Sequence, residues 1–122
     1  MATINHTLAN IVNENDSRIS GKIATWTSLT ETNNVGDKFE AIAYRDQTVQ
    51  ITGTFGGATI TMQGSNDDVT WVTLKDTTGV DIEYSGTNRL VGILQAPRYV
   101  RPSISGGSGT SLKVVLASAS AR

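Results

Sequence analysis

The amino-acid sequence lacks the residues on which much enzyme chemistry depends. The 122-residue chain has no cysteine and a single histidine, His6. Without cysteine there is no disulfide, no thiolate nucleophile and no zinc–thiolate site, which excludes a disulfide-stapled secreted scaffold and fits a cytosolic origin. A Ser-His-Asp triad would depend on His6, which lies in a polar stretch far in sequence from any partner, and we expect its ring to be solvated. We therefore predict that the protein is not an enzyme.

The chain also lacks a strong net charge and any long apolar run. Ten basic and eleven acidic side chains give a formal net charge of −1, so no overall field favours nucleic acid or anionic lipid. No run approaches the roughly 18 apolar residues of a membrane helix. Residues 1–20 have neither the basic nor the apolar region of a signal peptide. We expect neither nucleic acid nor a membrane as a partner.

Short strand patterns, separated by turn residues, fill the chain from residue 21 onward. Such regular spacing is typical of an all-β sandwich or barrel. The sequence predicts a single antiparallel β-sandwich or jelly-roll-like domain over residues 21–122, preceded by an extended N-terminal arm over residues 1–20. Pro97 and Pro102 cannot donate a backbone hydrogen bond, so we expect their part of the sheet to be an edge or a bulge. The predicted strands are 22–29, 37–44, 48–54, 58–64, 69–74, 80–84, 88–94, 99–104 and 111–117.

The central stretch VQITGTFGGATITMQGSNDDVTWVTL, residues 49–74, shows this pattern best. It predicts three short strands joined by two tight turns. Gly56 and Gly57 supply the positive φ that a tight hairpin needs, and residues 65–68 (SNDD) are typical turn residues. The glycine-rich residues 105–110 lack the lysine of a phosphate loop and precede a strand, which indicates another hairpin connection.

The arm contains few apolar residues, and its structure is open at this stage. The spacing of Leu8, Ile11 and Val12 allows one or two helical turns before polar residues break the pattern. A loosely ordered terminus and an arm that orders against a neighbouring subunit both fit. The candidate interface residues of the arm are Ile4, Leu8, Ile11 and Val12.

Acidic residues in the predicted loops are the main candidates for a metal site. Asp67, Asp68, Asp76 and Asp81 offer the oxygen ligands that calcium prefers. However, Asp67 and Asp68 lack the spacing of an EF-hand loop, and turn formation explains them. We expect no metal and no cofactor.

Cationic and aromatic residues suggest two kinds of binding surface. Arg98, Tyr99 and Arg101 place two cations beside an aromatic ring, as nucleic-acid sites and protein interfaces do; in a chain of net negative charge, a protein interface or an ordinary surface is favoured. Trp26 and Trp71 would stack on sugar rings if they were exposed, although a tryptophan in a strand more often packs in the core.

Two segments together resemble a known family. The run VQITGTFGGATITMQGSNDDVTWVTL, followed by APRYVRPSISGGSGTSLKVVL, is similar to small virion proteins of tailed bacteriophages. Their pattern is a strand, a GTFGG-type hairpin, a GSNDG-V-W turn, PRYVRP, a glycine-rich turn and an apolar strand. The resemblance covers about residues 40–117, and Asp68 stands where the family pattern usually has glycine, which should alter that turn slightly without changing the fold.

The resemblance implies a capsid decoration, or cement, protein. Such a protein is a β-sandwich or jelly-roll module, commonly a homotrimer, that clamps adjoining subunits of the major capsid protein from outside. The implied location is the capsid exterior of a virion made in the host cytoplasm. We expect deletion of residues 1–20 to weaken attachment or trimerisation while leaving the sandwich folded. The alternative is a carbohydrate-binding or tail-associated adhesion module that uses Trp26, Trp71 or Tyr84 as a stacking surface.

Overall fold

The computed structural model describes residues 3–12 and 20–119. Every regular element in these two ranges is a β-strand. The strands are β1 (Thr3–Ile4), β2 (Thr7–Val12), β3 (Ser20–Leu29), β4 (Val35–Gly36), β5 (Phe39–Glu40), β6 (Asp46–Thr54), β7 (Thr59–Ser65), β8 (Val72–Thr73), β9 (Glu83–Tyr84), β10 (Arg89–Gly92), β11 (Tyr99–Ser105) and β12 (Ser111–Ala119).

These strands form two sheets that pack face to face. Sheet A has the order β1-β4-β11-β7-β8, with β5 also beside β11 and β9 also beside β7. Sheet B has the order β10-β6-β12-β3-β2. Neighbouring strands are antiparallel except β1 and β4, which are parallel. The predicted all-β, mostly antiparallel sandwich is confirmed.

The core lies between the two sheets and follows from the alternation of side chains along the strands. In β6, Val49 and Ile51 are fully buried, whereas Thr48 and Gln50 are exposed. Each sheet therefore turns one apolar face inward and one polar face outward, as antiparallel sheets do. The largest fully buried side chains are Trp26, Leu29, Ile51, Ile60, Met62, Ile82, Leu112 and Leu116.

The glycine turn after β6 forms as expected, but it does not make a hairpin. Gly56 and Gly57 have φ values of 59° and 84°, and the N–H of Ala58 donates to the carbonyl of Phe55. However, β6 belongs to sheet B and β7 to sheet A. The predicted pairing of these two strands is wrong because the same turn residues serve a hairpin and a crossing between sheets. Phe55 and Ala58 are buried at this end of the core.

The glycine-rich loop 105–110 also crosses between sheets. It joins β11 in sheet A to β12 in sheet B, so the predicted hairpin is wrong here too. The two crossing loops are packed together, since the N–H of Ser108 donates to the carbonyl of Gly56 and Thr110 Oγ1 donates to the carbonyl of Phe55 at 2.8 Å. The Glu31 carboxylate accepts hydrogen bonds from the N–H groups of residues 109 and 110. The pKa of this carboxylate is lowered chiefly by a hydrogen bond from the backbone of Glu31 itself and then by these two.

Pro102 lies in the middle of sheet A, which corrects the prediction of an edge or bulge. Strand β11 pairs with β7 on one side and with β4 and β5 on the other. Met62, opposite Pro102, uses its own N–H and C=O groups toward Ile82 and Leu74 on the far side of β7. The nitrogen of Pro102 therefore faces the break between β4 and β5, where no carbonyl needs a donor from it.

Several strands are shorter than the sequence predicts. The predicted strand 37–44 contains only the two residues of β5, and the N–H of Tyr44 closes a turn onto the carbonyl of Ala41. Likewise, 69–74 and 80–84 contain only the two-residue strands β8 and β9. The alternation of apolar residues predicts which side chains of these segments are buried. Turns within the segments, however, limit how many residues pair with a neighbouring strand.

The N-terminal residues that the structure describes are part of both sheets. Strand β1 pairs with β4 in sheet A, and β2 pairs along its whole length with β3 in sheet B. The helical turn allowed by the spacing of Leu8, Ile11 and Val12 is therefore wrong, because these residues lie in β2. Whether residues 1–20 also contact another subunit stays a prediction.

Candidate functional site

The corner between β1 and β2 is held by a partly buried polar cluster. One carboxylate oxygen, Oδ1 of Asp37, lies 2.8 Å from the backbone nitrogen of His6, 2.7 Å from His6 Nδ1 and 2.9 Å from Trp26 Nε1. The rings of His6 and Trp26 meet edge to face at 5.4 Å. The His6 side chain is only 13% exposed, so the expected solvated histidine is wrong. Its partner Asp37 comes from a distant loop, which no local sequence pattern signals.

The four candidate interface residues of the arm have different environments. Ile4 is partly buried and packs against the core. Leu8 is 54% exposed on the edge strand β2. For Ile11 and Val12 the structure gives the backbone, in β2, but their side chains lie outside the described part of the chain. Of these four residues, Leu8 is therefore the one whose side chain is shown to be exposed at the surface.

Arg98, Tyr99 and Arg101 form one surface together with residues distant in sequence. Arg98 Cζ and Lys38 Nζ each lie 4.8 Å from the centre of the Tyr99 ring. Arg101 Cζ lies 4.0 Å from the centre of the Trp71 ring. We call the three cations Lys38, Arg98 and Arg101, with the rings of Tyr99 and Trp71, the cationic patch. It lies on the outer side of sheet A.

Within the cationic patch, the three cations are held differently. Arg101 Nε donates to Gln63 Oε1 at 2.9 Å, and partial burial lowers the pKa of its guanidinium. Lys38 Nζ donates to the Asp68 carboxylate, and this hydrogen bond raises the lysine pKa. Arg98 is exposed. Lys38 and Gln63 were not predicted, because Gln63 reaches the patch through the pairing of β7 with β11 and Lys38 through the loop between β4 and β5.

The turn after β7 positions this surface. Asp67 Oδ1 accepts hydrogen bonds from the N–H groups of Val69 and Thr70 and from the hydroxyl of Ser65, all between 2.8 and 2.9 Å. These hydrogen bonds, chiefly the two from the backbone, lower the Asp67 pKa to about 2. Asp68 follows with a positive φ of 62°. Glycine adopts this left-handed conformation at no steric cost, and aspartate tolerates it better than most side chains.

Acid should weaken this turn in a defined pH range. The folded-state pKa of Asp67 is depressed from 3.8 to about 2, so its contribution to stability is present above 3.8 and is lost as pH falls toward 2. Asp67→Asn keeps an oxygen acceptor without the charge, and its stability should fall less across this window. Urea unfolding on both sides of the window measures the difference. Asp81→Asn, whose carboxylate pairs with Lys75, is the control, and a profile for Asp67→Asn equal to wild type would contradict the assignment.

The other acidic candidates are occupied by local contacts. Asp76 Oδ1 accepts hydrogen bonds from the N–H groups of Thr78 and Val80, and Asp81 pairs with Lys75 at 2.7 Å. Within residues 3–12 and 20–119, no three His, Cys, Asp or Glu side chains gather where they could share a metal ion. The same residues contain no helix long and apolar enough to span a membrane.

The aromatic side chains considered for sugar stacking do not form a shared platform. Trp26 is fully buried, which confirms the core interpretation for this residue. Trp71 is half-buried beneath Arg101, and Tyr84 has Arg89 Cζ 4.5 Å from its ring centre. A cation therefore lies over each of the two rings that reach the surface.

An open groove borders the cationic patch on the other side of the turn. Its volume is about 420 Å³. Asn66, in its wall, accepts a hydrogen bond from the N–H of Arg98 at 2.8 Å, so the turn links the groove to the patch. The exposed side chain of Val72 adds apolar surface to the groove. The lining residues are Gly64, Ser65, Asn66, Asp67, Thr70, Val72, Thr73, Leu74, Gln95, Ala96 and Pro97.

The two packed sheets define the chain as a β-sandwich module. No protein-family model and no curated protein matches it. Its fold is similar to the crystal structure of the SPBc2 prophage-derived protein YomS, with a TM-score of 0.61 and 16% identity over 82% of this chain and 95% of that one. A carbohydrate-binding module from Cellvibrio mixtus lichenase 5A, in complex with cellotriose, superposes with a TM-score of only 0.28 at 9% identity, over 96% and 87% of the two chains. The YomS likeness shows a shared fold.

Proposed function

We propose that this protein is a bacteriophage virion structural protein that decorates the outside of the capsid. In this proposal it binds the major capsid protein as a homo-oligomer, commonly a homotrimer in proteins of this type, and stabilises the mature shell without a catalytic step. The observation that carries the proposal is the fold shared with a prophage-derived protein over 82% of the chain. The sequence resemblance over residues 40–117 supports it independently.

Physical reasoning is consistent with such a role. A component that binds only the mature arrangement of a shell stabilises that arrangement by mass action. Many identical copies add up to a large total effect when the geometry lets them bind at once. A compact sandwich with one polar outer face on each sheet suits this task, because it brings surface to the shell without needing to change its own fold.

Exposure at the surface limits which of the predicted interface residues can contact a capsid shell. Leu8 and Arg98 are exposed, and Arg101 is half-buried. Ile4 and Tyr99 mainly support the fold, because Ile4 packs on the core and Tyr99 is 7% exposed. We therefore propose that Leu8 and the cationic patch make the shell contacts, while Ile11 and Val12, whose side chains lie outside the described part of the chain, stay predicted interface residues.

The copy number of the protein in parent virus particles tests the proposal. Purified particles are analysed by quantitative mass spectrometry, with the major shell protein as the internal reference. We expect a copy number comparable to that of the shell protein. A few copies per particle would favour the tail-associated alternative instead, and absence from particles would overturn a structural role in the virion.

The role of Leu8 needs a point substitution. Deleting residues 1–20 would remove β1, β2 and the His6 contacts to Asp37, so we no longer expect the sandwich to stay folded without them. Leu8→Ser changes an exposed side chain of the edge strand and keeps these contacts. It is the variant to compare with wild type when binding to shells is measured.

A further inference from the structure

We propose that the cationic patch is a binding site for a carboxylate-rich protein segment, with Arg101 as its anchor. The site rests on the proposed function only for the identity of the partner, which would be the shell subunit. Its chemistry follows from the side chains of sheet A and the adjoining turn, and it can be tested without any virus particle.

Arg101 is already held in a conformation that suits a carboxylate. Its guanidinium is stacked 4.0 Å from the centre of the Trp71 ring, and its Nε donates to Gln63 at 2.9 Å. The two terminal nitrogens form the planar fork that binds a carboxylate through two parallel hydrogen bonds. Because packing has already restricted this side chain, less conformational entropy is lost on binding. Among the described residues, no carboxylate forms an ion pair with Arg101.

Arg98 and Lys38 extend the positive surface around Tyr99. Both charges lie 4.8 Å from the centre of that ring. The nearest acidic residues are Asp68, which binds Lys38, and Glu40, which lies opposite Tyr99 in the ladder. In the described part of the chain Arg98, like Arg101, has no carboxylate within ion-pair distance. Two guanidinium groups on one surface are thus available to an incoming anion.

The surroundings favour a short acidic protein segment over nucleic acid. The chain carries a formal net charge of −1, and Asp68 and Glu40 beside the patch would repel a continuous row of phosphates. Binding of single-stranded nucleic acid also needs aromatic faces on which bases stack. Here Arg101 covers the Trp71 ring, and Tyr99 is 7% exposed. One or two carboxylates, in contrast, need only the two arginine side chains.

The test is an NMR titration of the intact protein with a blocked tetra-glutamate peptide. We expect shifts confined to the indole N–H of Trp71, the Nε–H of Arg101 and the backbone around Arg98. Arg101→Gln should weaken peptide binding about tenfold, the effect of losing one charge-assisted hydrogen-bonded contact. Arg89→Gln is the matched control, because Arg89 likewise lies over an aromatic ring, that of Tyr84, at 4.5 Å but outside the cationic patch; the affinity of this variant should equal that of wild type.

A variant with the opposite expected effect makes the test sharper. Asp68→Asn removes the carboxylate that competes for the cations of the patch, and asparagine tolerates the positive φ of 62° at this position. Peptide binding should become about threefold tighter, and the gain should shrink as salt is added. A merely structural role of Asp68 would not strengthen binding.

The outcomes separate this site from the proposed function. Equal peptide affinity of Arg101→Gln and wild type, or tighter binding of an oligothymidylate than of the peptide, would overturn the site. A second experiment uses capsid shells from which the protein has been stripped. If wild type binds these shells again and Arg101→Gln does not, both proposals are supported. Equal rebinding of both proteins overturns the shell subunit as the partner of this site. Failure of wild type to rebind overturns the decoration role, and in both cases the peptide titration still decides the site.

Discussion

Replacing Trp26 by alanine should lower the free energy of unfolding by about 3–5 kcal/mol, the usual cost of removing a large aromatic side chain from a core. Trp26 is fully buried in β3, so the substitution leaves a cavity between the sheets. It also removes the indole N–H that donates to the Asp37 carboxylate and carbonyl at 2.9 and 3.0 Å. Urea unfolding followed by circular dichroism measures the loss.

Trp71 provides the control for this substitution. It is half-buried on the outer side of sheet A, where its main described partner is Arg101. Trp71→Ala should therefore cost no more than about 1 kcal/mol, the range of a surface cation–π contact. A loss for Trp71→Ala equal to that for Trp26→Ala would contradict the assignment of one tryptophan to the core and the other to the surface.

Gly36→Ala is the second substitution for which we expect a large loss of stability, of about 1–3 kcal/mol or more. A Cβ at position 36 would lie 2.7 Å from Cδ and Cγ of Pro102 and 2.7 Å from Cδ1 of Trp26. Both neighbours are fully buried rings, so neither can move aside cheaply. Gly36 does not have a positive φ, and the loss would therefore be steric. Chemical denaturation gives the change in stability.

A double substitution tests this steric explanation. In the Gly36→Ala background, Pro102→Ala removes two of the three close contacts, so the two losses should be clearly less than additive. Gly57→Ala is a contrasting control, because its added Cβ meets nothing within 4 Å and its cost comes from a φ of 84°. If the losses of stability caused by the two substitutions simply add, the close contacts with the Pro102 ring are not the cause of the loss in Gly36→Ala.

The sequence predicts the elements of this fold better than it predicts their partners. Both turns of the central stretch lie where glycine and Asx chemistry place them, and β7 does pair with β8 across the second. The first turn instead crosses between sheets. Its residues Phe55 and Ala58 are buried, and the turn is hydrogen-bonded to the distant loop 105–110, which no local sequence pattern indicates. Turn residues report local dihedral angles and carry no information about the sheet to which the next strand belongs.

The candidate site shows the same limit. Arg98, Tyr99 and Arg101 are adjacent in sequence, and their clustering could be predicted. Lys38 and Trp71 reach them only through the folded arrangement of the β4–β5 loop and the turn after β7, so they could not. The His6 contact to Asp37 was missed for a related reason, since 31 residues separate the two side chains.

The position of β12 in sheet B has a consequence for biosynthesis. This last described strand lies between β6 and β3 and pairs with both along most of its length. While a ribosome is still making residues 111–119, β3 and β6 have no strand between them, and their apolar faces stay uncovered. Folding of sheet B must then wait for β12 to emerge, as expected for a topology dominated by contacts between distant residues. Chaperone demand during translation should be highest just before β12 leaves the exit tunnel.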